Sequence, residues 1–121
     1  MSEFQEDSIT LRKREIKVQT GYLPHADLLF YTDNPRIYSM VWKDNEAEPT
    51  QEEIFDALSK TEHVRENLVP SIKNNGGLIE PVLVRKGVVL EGNSRLAAYR
   101  VLAQKEPVTW ERIRVRILPE S

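Results

Sequence analysis

The segment 91–99 has the residue types and spacing best suited to chemistry. Residues 92–94 (Gly-Asn-Ser) stand between an apolar run and a helical pattern, which predicts a turn from a strand into a helix. Such a turn directs free amides and the positive end of the helix dipole at one point, a common way to hold phosphate. Arg95 falls on the apolar face of that helix at its N-terminal end, so its charge needs an anion. The anion is either a bound phosphate or a carboxylate of the protein, such as Glu80 or Glu91.

Two other segments have candidate ligands. Residues 76–81 contain two glycines that let a backbone pass close to a ligand, and Glu80 is placed to bind a metal ion or a sugar hydroxyl. The alternative is that the glycines only end a helix. Arg36, in the loop 34–36, is placed to reach a second phosphate, although an exposed arginine is usually a solvated surface charge.

The histidines and the last arginines have simpler interpretations. His25 and His63 lack a second ligand at metal spacing, so neither is assigned a role. Arg112, Arg114 and Arg116 alternate with apolar residues and are typical of the solvent face of an edge strand, with contact to a nucleic acid backbone as the alternative.

The elements that position these residues follow from periodicity and turn signals. The pattern predicts strands at 15–19, 81–85, 88–91 and 112–117, with residues 86–87 as a hairpin turn. It predicts a short helix from Pro24 through Leu29. Thr50 and Glu53 form a capping box that starts two or three short helices, which end at 74–76. A further helix is predicted at 95–104, capped by Asn93 or Ser94.

Length and composition predict one domain, 15–121, preceded by a flexible arm, 1–14. The chain has 121 residues and no cysteine, which excludes a disulfide scaffold, a thiolate metal site and a cysteine nucleophile. It has no membrane-length apolar run and no secretory signal, so we expect a cytoplasmic protein without membrane partners. The net charge of −2 divides into −6 for 1–70 (8 basic, 14 acidic) and +4 for 71–121 (9 basic, 5 acidic). An anionic ligand is therefore expected in the second part.

The order of these motifs resembles the N-terminal domain of ParB and, more broadly, the ParB/sulfiredoxin superfamily. The resemblance rests on 34–36, 71–73, 77–85 and 91–98 and covers roughly residues 22–118. It implies an α+β fold (mixed α/β), with a small mixed sheet of about four strands and helices packed against it. It also implies a nucleotide site in which the glycine turn and the helix start hold a triphosphate.

The resemblance implies site residues and partners as well. Gly77, Leu78, Ile79 and Glu80 match the first nucleotide motif, Gly92, Asn93, Ser94 and Arg95 match the second, and Arg36 matches a loop arginine. In ParB proteins the nucleotide is CTP with Mg²⁺, and other members bind ATP. The implied partners are the nucleotide, DNA reached through a larger assembly, and a second copy in a homodimer that forms with nucleotide. The stretch 91–96 also resembles relatives in phage-defence and DNA-modification systems.

Departures from the family pattern shape the functional hypotheses. Glu80 replaces a glutamine, Asn93 and Ser94 replace a glutamate linked to hydrolysis and an arginine, and the absence of cysteine excludes sulfinic acid repair. We therefore expect a switch or weak NTPase that acts with DNA, in partition or in phage-defence and DNA-modification systems. The catalytic and Mg²⁺-binding candidates are Glu80 and Glu91. The alternatives are an Mg²⁺-dependent phosphotransferase or nuclease at the same pocket, and a protein-interaction domain with a vestigial pocket.

Overall fold

The computed structural model describes residues 4–11, 13–32, 37 and 48–119. These residues contain six strands, which form one sheet in the order β1-β2-β6-β4-β5-β3. The strands are β1 (Gln5–Leu11), β2 (Arg14–Pro24), β3 (Leu29–Phe30), β4 (Val82–Arg85), β5 (Val88–Glu91) and β6 (Arg112–Ile117). The pairs β4–β6 and β3–β5 are parallel, whereas β1–β2, β2–β6 and β4–β5 are antiparallel. The sheet is therefore mixed.

Helices account for most of the remaining described chain, so the fold belongs to the α+β class. They are α1 (Gln51–Ser59), a π-helical segment (His63–Leu68) that continues into α2 (Val69–Asn75), and α3 (Asn93–Lys105). The capping box at the start of α1 is confirmed, because Thr50 Oγ1 accepts from the Glu53 amide and Glu53 Oε1 accepts from the Thr50 amide. The helix end at 74–76 is also confirmed, since Gly76 has the left-handed φ of 70°.

The core lies between these helices and one face of the sheet. The most buried helix side chains are each at most 1% exposed: Ile54, Leu58, Val64, Leu96, Ala97 and Ala98. They belong to one cluster with the sheet residues Val82, Val84, Val89, Ile113 and Val115. α3 is central, because it contacts α1, the π-helical segment and α2 as well as β4 and β5. The start of α3 is thus fixed by packing from several elements. None of the described helices has both the length and the apolar content required to cross a membrane.

The sheet is larger than the four strands expected from the sequence. Residues 5–11, expected to be part of a flexible arm, form β1 and pair with β2 along their whole length. Phe4 packs against Gly21 and the core, because the missing side chain of Gly21 leaves room for the ring. β1 is stabilised by backbone hydrogen bonds to β2, which do not depend on residue type. Its polar sequence therefore has no apolar alternation from which a strand could be predicted.

The segment after β2 also differs from its expected structure. The helix expected from Pro24 through Leu29 is a single 3-10 turn, His25–Asp27, followed by β3. β3 pairs in parallel with β5, which draws Leu29 and Phe30 into the sheet beside Val88 and Val89. This contact is non-local, so propensity could not reveal it.

Candidate functional site

A cleft of about 380 Å³ opens at the junction of β5 and α3. Its lining combines residues from this junction with side chains from the helices opposite. The lining residues are Ile37, Leu58, His63, Leu68, Leu90, Glu91, Gly92, Asn93, Ser94 and Arg95. The structure therefore brings the whole second motif, 92–95, and Glu91 to one cleft.

Gly92 determines how the chain passes from β5 into α3. Its φ is 101°, a left-handed conformation that side chains strongly disfavour. A Cβ atom at this position would lie 2.8 Å from Val82 Cγ1 and 2.9 Å from Arg95 Nη2. Glycine is therefore required here by both the backbone angle and the close approach of its neighbours.

The N-terminus of α3 has no side-chain cap. The expected caps, Asn93 and Ser94, are instead the first residues of the helix, and Gly92 is the N-cap. The Leu96 amide makes the first intrahelical bond, to Gly92 O at 2.9 Å. The amides of 93–95 consequently lack intrahelical acceptors, and the positive end of the helix dipole lies at the cleft.

Asn93 has a structural role at this helix start. Its side chain is 5% exposed. Its Nδ2 donates to Val89 O at 3.0 Å, and its Oδ1 accepts from the Tyr31 amide at 3.0 Å. The side chain thus joins α3 to β5 and to the chain beyond β3, so only the backbone of Asn93 is available to a ligand.

Arg95 binds backbone oxygens rather than an anion. Its Nη1 donates to Glu80 O at 2.8 Å and to Pro81 O at 3.2 Å. Within the part of the chain that the structure describes, no ion pair joins Arg95 to a carboxylate. The sequence predicted that Arg95 pairs with an anion, either a bound phosphate or a carboxylate of the protein. In the structure its protein partners are instead two backbone carbonyls.

A second arginine holds the same loop. Arg114 Nη1 donates to Ile79 O at 3.0 Å. The loop 77–81 is therefore anchored through its main chain, while the Ile79 side chain is 70% exposed. Gly77, Leu78 and Ile79 were expected to contact nucleotide, but they lie outside the lining of the cleft. Arg114, expected on the solvent face of an edge strand, is half-buried, and its strand β6 lies inside the sheet between β2 and β4.

The two candidate catalytic carboxylates are only partly brought together. Glu91 lines the cleft, whereas Glu80 lines a second cavity, which Glu91 also borders. The described residues contain no group of three His, Asp or Glu side chains placed to hold a metal ion. Arg36 lies outside the described residues, so its expected phosphate contact is neither supported nor contradicted.

His63 and the apolar wall of the cleft were not anticipated. His63, Leu58 and Leu68 come from α1 and the π-helical segment, more than twenty residues before the glycine turn. A helical apolar pattern predicted burial for Leu58 and Leu68, but no local motif indicated that they face the turn. Their placement depends on tertiary packing against α3.

The arrangement can accommodate an anion beside an apolar wall. Free amides and a helix dipole meet at one end of the cleft, and Leu58, Leu68 and Ile37 line it elsewhere. Such a cleft can hold a ligand that has both a charged and a flat or apolar part. No model of a protein family, no curated protein and no solved structure matches this chain.

Proposed function

We propose that this chain is a nucleotide-binding module of the ParB/sulfiredoxin type. It binds a nucleoside triphosphate, CTP or ATP, in the cleft at Gly92 and acts as a switch or weak NTPase in a DNA-associated process such as partition or phage defence and DNA modification. The observation that carries this proposal is the left-handed Gly92 leading into an uncapped helix start at a cleft. The motif order described above supports the choice of family.

The phosphates bind at the start of α3. The amides of 93–95 have no intrahelical acceptors, and the absence of a side chain at Gly92 allows phosphate oxygens to approach the backbone. Arg95 strengthens the site through its charge and through the loop that it holds. The base or ribose lies against the apolar wall, where Leu58 and Leu68 exclude water.

Glu91 is the residue best placed to hold Mg²⁺ in this site. Protein sites for Mg²⁺ usually combine one or two carboxylates with substrate phosphates and water, so a full cluster of protein ligands is not required. Glu91 precedes the phosphate-binding turn directly and lines the same cleft. Bound Mg²⁺ supplies charge neutralisation of the phosphates, and the carboxylate orients it.

The proposed partners follow from the resemblance. A homodimer that closes with nucleotide would transmit the bound state to DNA through a larger assembly. Sedimentation of the chain with and without nucleotide tests this step, because a switch of this kind shifts the monomer–dimer equilibrium.

The site is tested by thermal unfolding with ATP, CTP, GTP and UTP, each with and without Mg²⁺. A ligand that binds only the folded state raises the unfolding midpoint. We expect the largest rise with one nucleotide and Mg²⁺. No rise with any nucleotide at several millimolar would overturn the proposal.

Ser94→Glu distinguishes specific phosphate binding from a general effect. A carboxylate in the first turn of a helix favours the helix but repels phosphate, so the fold persists while the nucleotide-induced rise is lost. Gln104→Glu introduces the same charge at the exposed far end of α3 and should keep the rise. Equal loss in both variants would contradict the assignment.

Hydrolysis is measured separately as phosphate release. Glu91→Gln should weaken the Mg²⁺ dependence of binding and remove slow turnover, while Glu80→Gln should leave both largely unchanged because Glu80 lies outside the cleft. The reverse pattern would move the metal-binding role to Glu80.

A further inference from the structure

A second cavity, of about 240 Å³, lies between the end of β1 and the start of β4. Four charged side chains line it, Glu80, Glu91, Arg95 and Arg116, together with Thr10 and the apolar Leu83. It therefore brings two carboxylates and two guanidinium groups into one small space. The nucleotide proposal uses two of these residues, Glu91 and Arg95, from the side of the cleft, and leaves Glu80 and Arg116 without a role.

The charges in this cavity are not neutralised by one another. Among the described residues, no ion pair joins Arg95 or Arg116 to Glu80 or Glu91. The Nε atom of Arg116 is buried and has no hydrogen-bond partner within the described chain. A buried donor without a partner is costly, so the charge of Arg116 is incompletely compensated within the described chain.

The strand register sets the arrangement of the charges. Leu83 of β4 lies opposite Arg116 of β6, so these two side chains share one face of the sheet, and Leu83 is also the register partner of Glu91 of β5, at a shift in the β4–β5 register. Neighbouring strands are about 5 Å apart, which separates the Cα atoms of Arg116 and Glu91 by roughly 10 Å. The floor between the cation and the anion is the apolar side chain of Leu83.

We propose that this cavity binds a small zwitterion, a molecule with a carboxylate and an ammonium group joined by a short aliphatic chain. The carboxylate is held by Arg116, whose planar guanidinium suits two parallel hydrogen bonds, with Arg95 adding positive charge. The ammonium group is held by Glu91 and Glu80. The aliphatic chain lies on Leu83.

Other simple ligands fit the cavity less well. A phosphate or sulfate ion would meet the two glutamates, and a divalent cation would meet the two arginines. A wholly apolar molecule would cover these charged groups without offering any of them a polar partner. Only a ligand with both signs of charge complements the lining.

This inference can be tested apart from nucleotide binding, although both proposals assign a role to Glu91 and to Arg95. The two sites share Glu91 and Arg95, but Arg116 lines only the second cavity and Ser94 lines only the cleft. Arg116→Gln and Ser94→Glu therefore probe the two sites separately. If the zwitterion proposal fails, the NMR shifts are absent and the nucleotide-induced rise in the unfolding midpoint remains. If the nucleotide proposal fails, the reverse is observed.

The experiment is an NMR titration of the ¹⁵N-labelled chain with glycine, β-alanine, γ-aminobutyrate and 5-aminovalerate. Butyrate and butylamine serve as single-charge probes of similar size. We expect saturable shifts at amides of Thr10, Leu83 and Arg116 with one chain length, and binding at least tenfold weaker with both single-charge probes. Shifts with butyrate alone would identify a plain anion site and overturn the proposal.

Variants assign the binding groups. Arg116→Gln should weaken binding of the best zwitterion about tenfold or more, because it removes a charge-assisted hydrogen bond. Arg85→Gln, on an exposed arginine of β4, should have no effect. Ser94→Glu should abolish the nucleotide response but leave zwitterion binding intact. No saturable shift with any of the four amino acids, or equal affinity for the wild type and Arg116→Gln, would overturn the proposal.

Discussion

The side chain of Gln51 forms both hydrogen bonds that a neighbouring strand would form with Phe30. Its Nε2 donates to Phe30 O at 3.1 Å and its Oε1 accepts from the Phe30 amide at 2.6 Å. Gln51 is the first residue of α1, so the capping box at Thr50 also positions this amide beside β3. The outer edge of a two-residue strand is thus closed by a side chain rather than by another strand.

Replacing Gln51 should destabilise the fold through this edge. Gln51→Ala leaves the amide and carbonyl of the buried Phe30 without partners, and we expect a loss of about 1–3 kcal/mol in the free energy of unfolding. Urea denaturation measures this loss. Gln104→Ala, on the exposed side of α3, is the control and should change stability by less than about 0.5 kcal/mol. Equal stability of the two variants would show that the paired bonds contribute little.

A substitution at Gly92 should be far more harmful than one at another left-handed glycine. Gly92→Ala introduces a Cβ that overlaps Val82 and Arg95 in addition to the backbone strain, for an expected loss of about 2–5 kcal/mol. Gly76→Ala has only the backbone strain, because no atom lies within 4 Å of its added Cβ, for a loss of about 1–2 kcal/mol. Thermal unfolding checks this order, because the midpoint of Gly92→Ala should be lower than that of Gly76→Ala. A smaller loss at Gly92 than at Gly76 would mean that the side chains of Val82 and Arg95 move aside freely.

Stability should fall on mild acidification because of His25. Burial lowers the pKa of His25, the Arg100 charge lowers it further, and Glu111 partly opposes this. The folded state therefore binds the proton less readily than the unfolded state, whose His pKa is about 6.5, and stability decreases as the pH falls below that value. Denaturation curves between pH 7.5 and about 5 measure the slope. His25→Phe should flatten it over the upper part of this range.

Arg100 should stabilise the turn that contains His25. Its Nη2 donates to His25 O at 2.8 Å and to Leu28 O at 2.6 Å, and its guanidinium carbon lies 5.0 Å from the centre of the Phe30 ring. Arg100→Met keeps an apolar side chain but removes these bonds, so we expect a loss of about 1–3 kcal/mol in unfolding free energy. Arg65→Met, at an exposed position, is the matched control. Similar effects of both substitutions would argue against a special role for Arg100.

Local sequence signals predicted the elements whose causes are local. The reciprocal bonds of Thr50 and Glu53, the left-handed Gly76 and the positive φ of both Lys86 and Gly87 in the hairpin turn each depend on a few adjacent residues. The helix start after Gly92 was predicted for the same reason, although its cap was assigned to the wrong residue.

Features that depend on distant partners were not predictable in this way. β1 is held by its pairing with β2 and β3 by its pairing with β5, and neither strand has a clear periodic pattern. Arg95 was predicted to be a cation on the apolar face of its helix and is half-buried, but its partners, the carbonyls of Glu80 and Pro81, are backbone atoms whose role residue identity does not reveal. The contribution of His63 to the cleft likewise depends on how two helices pack.

Arg95 and Arg114 hold the loop 77–81 through hydrogen bonds to its main-chain oxygens, so the position of the loop does not depend on which side chains it has. Every residue type presents the same carbonyl, so exchanging the exposed side chains of Ile79 and Glu80 leaves both anchors intact. The side chains of this loop can therefore be substituted without changing the position of its backbone or the fold. The two arginines, rather than the residues they hold, are the positions at which a saturation-mutagenesis library should tolerate least change.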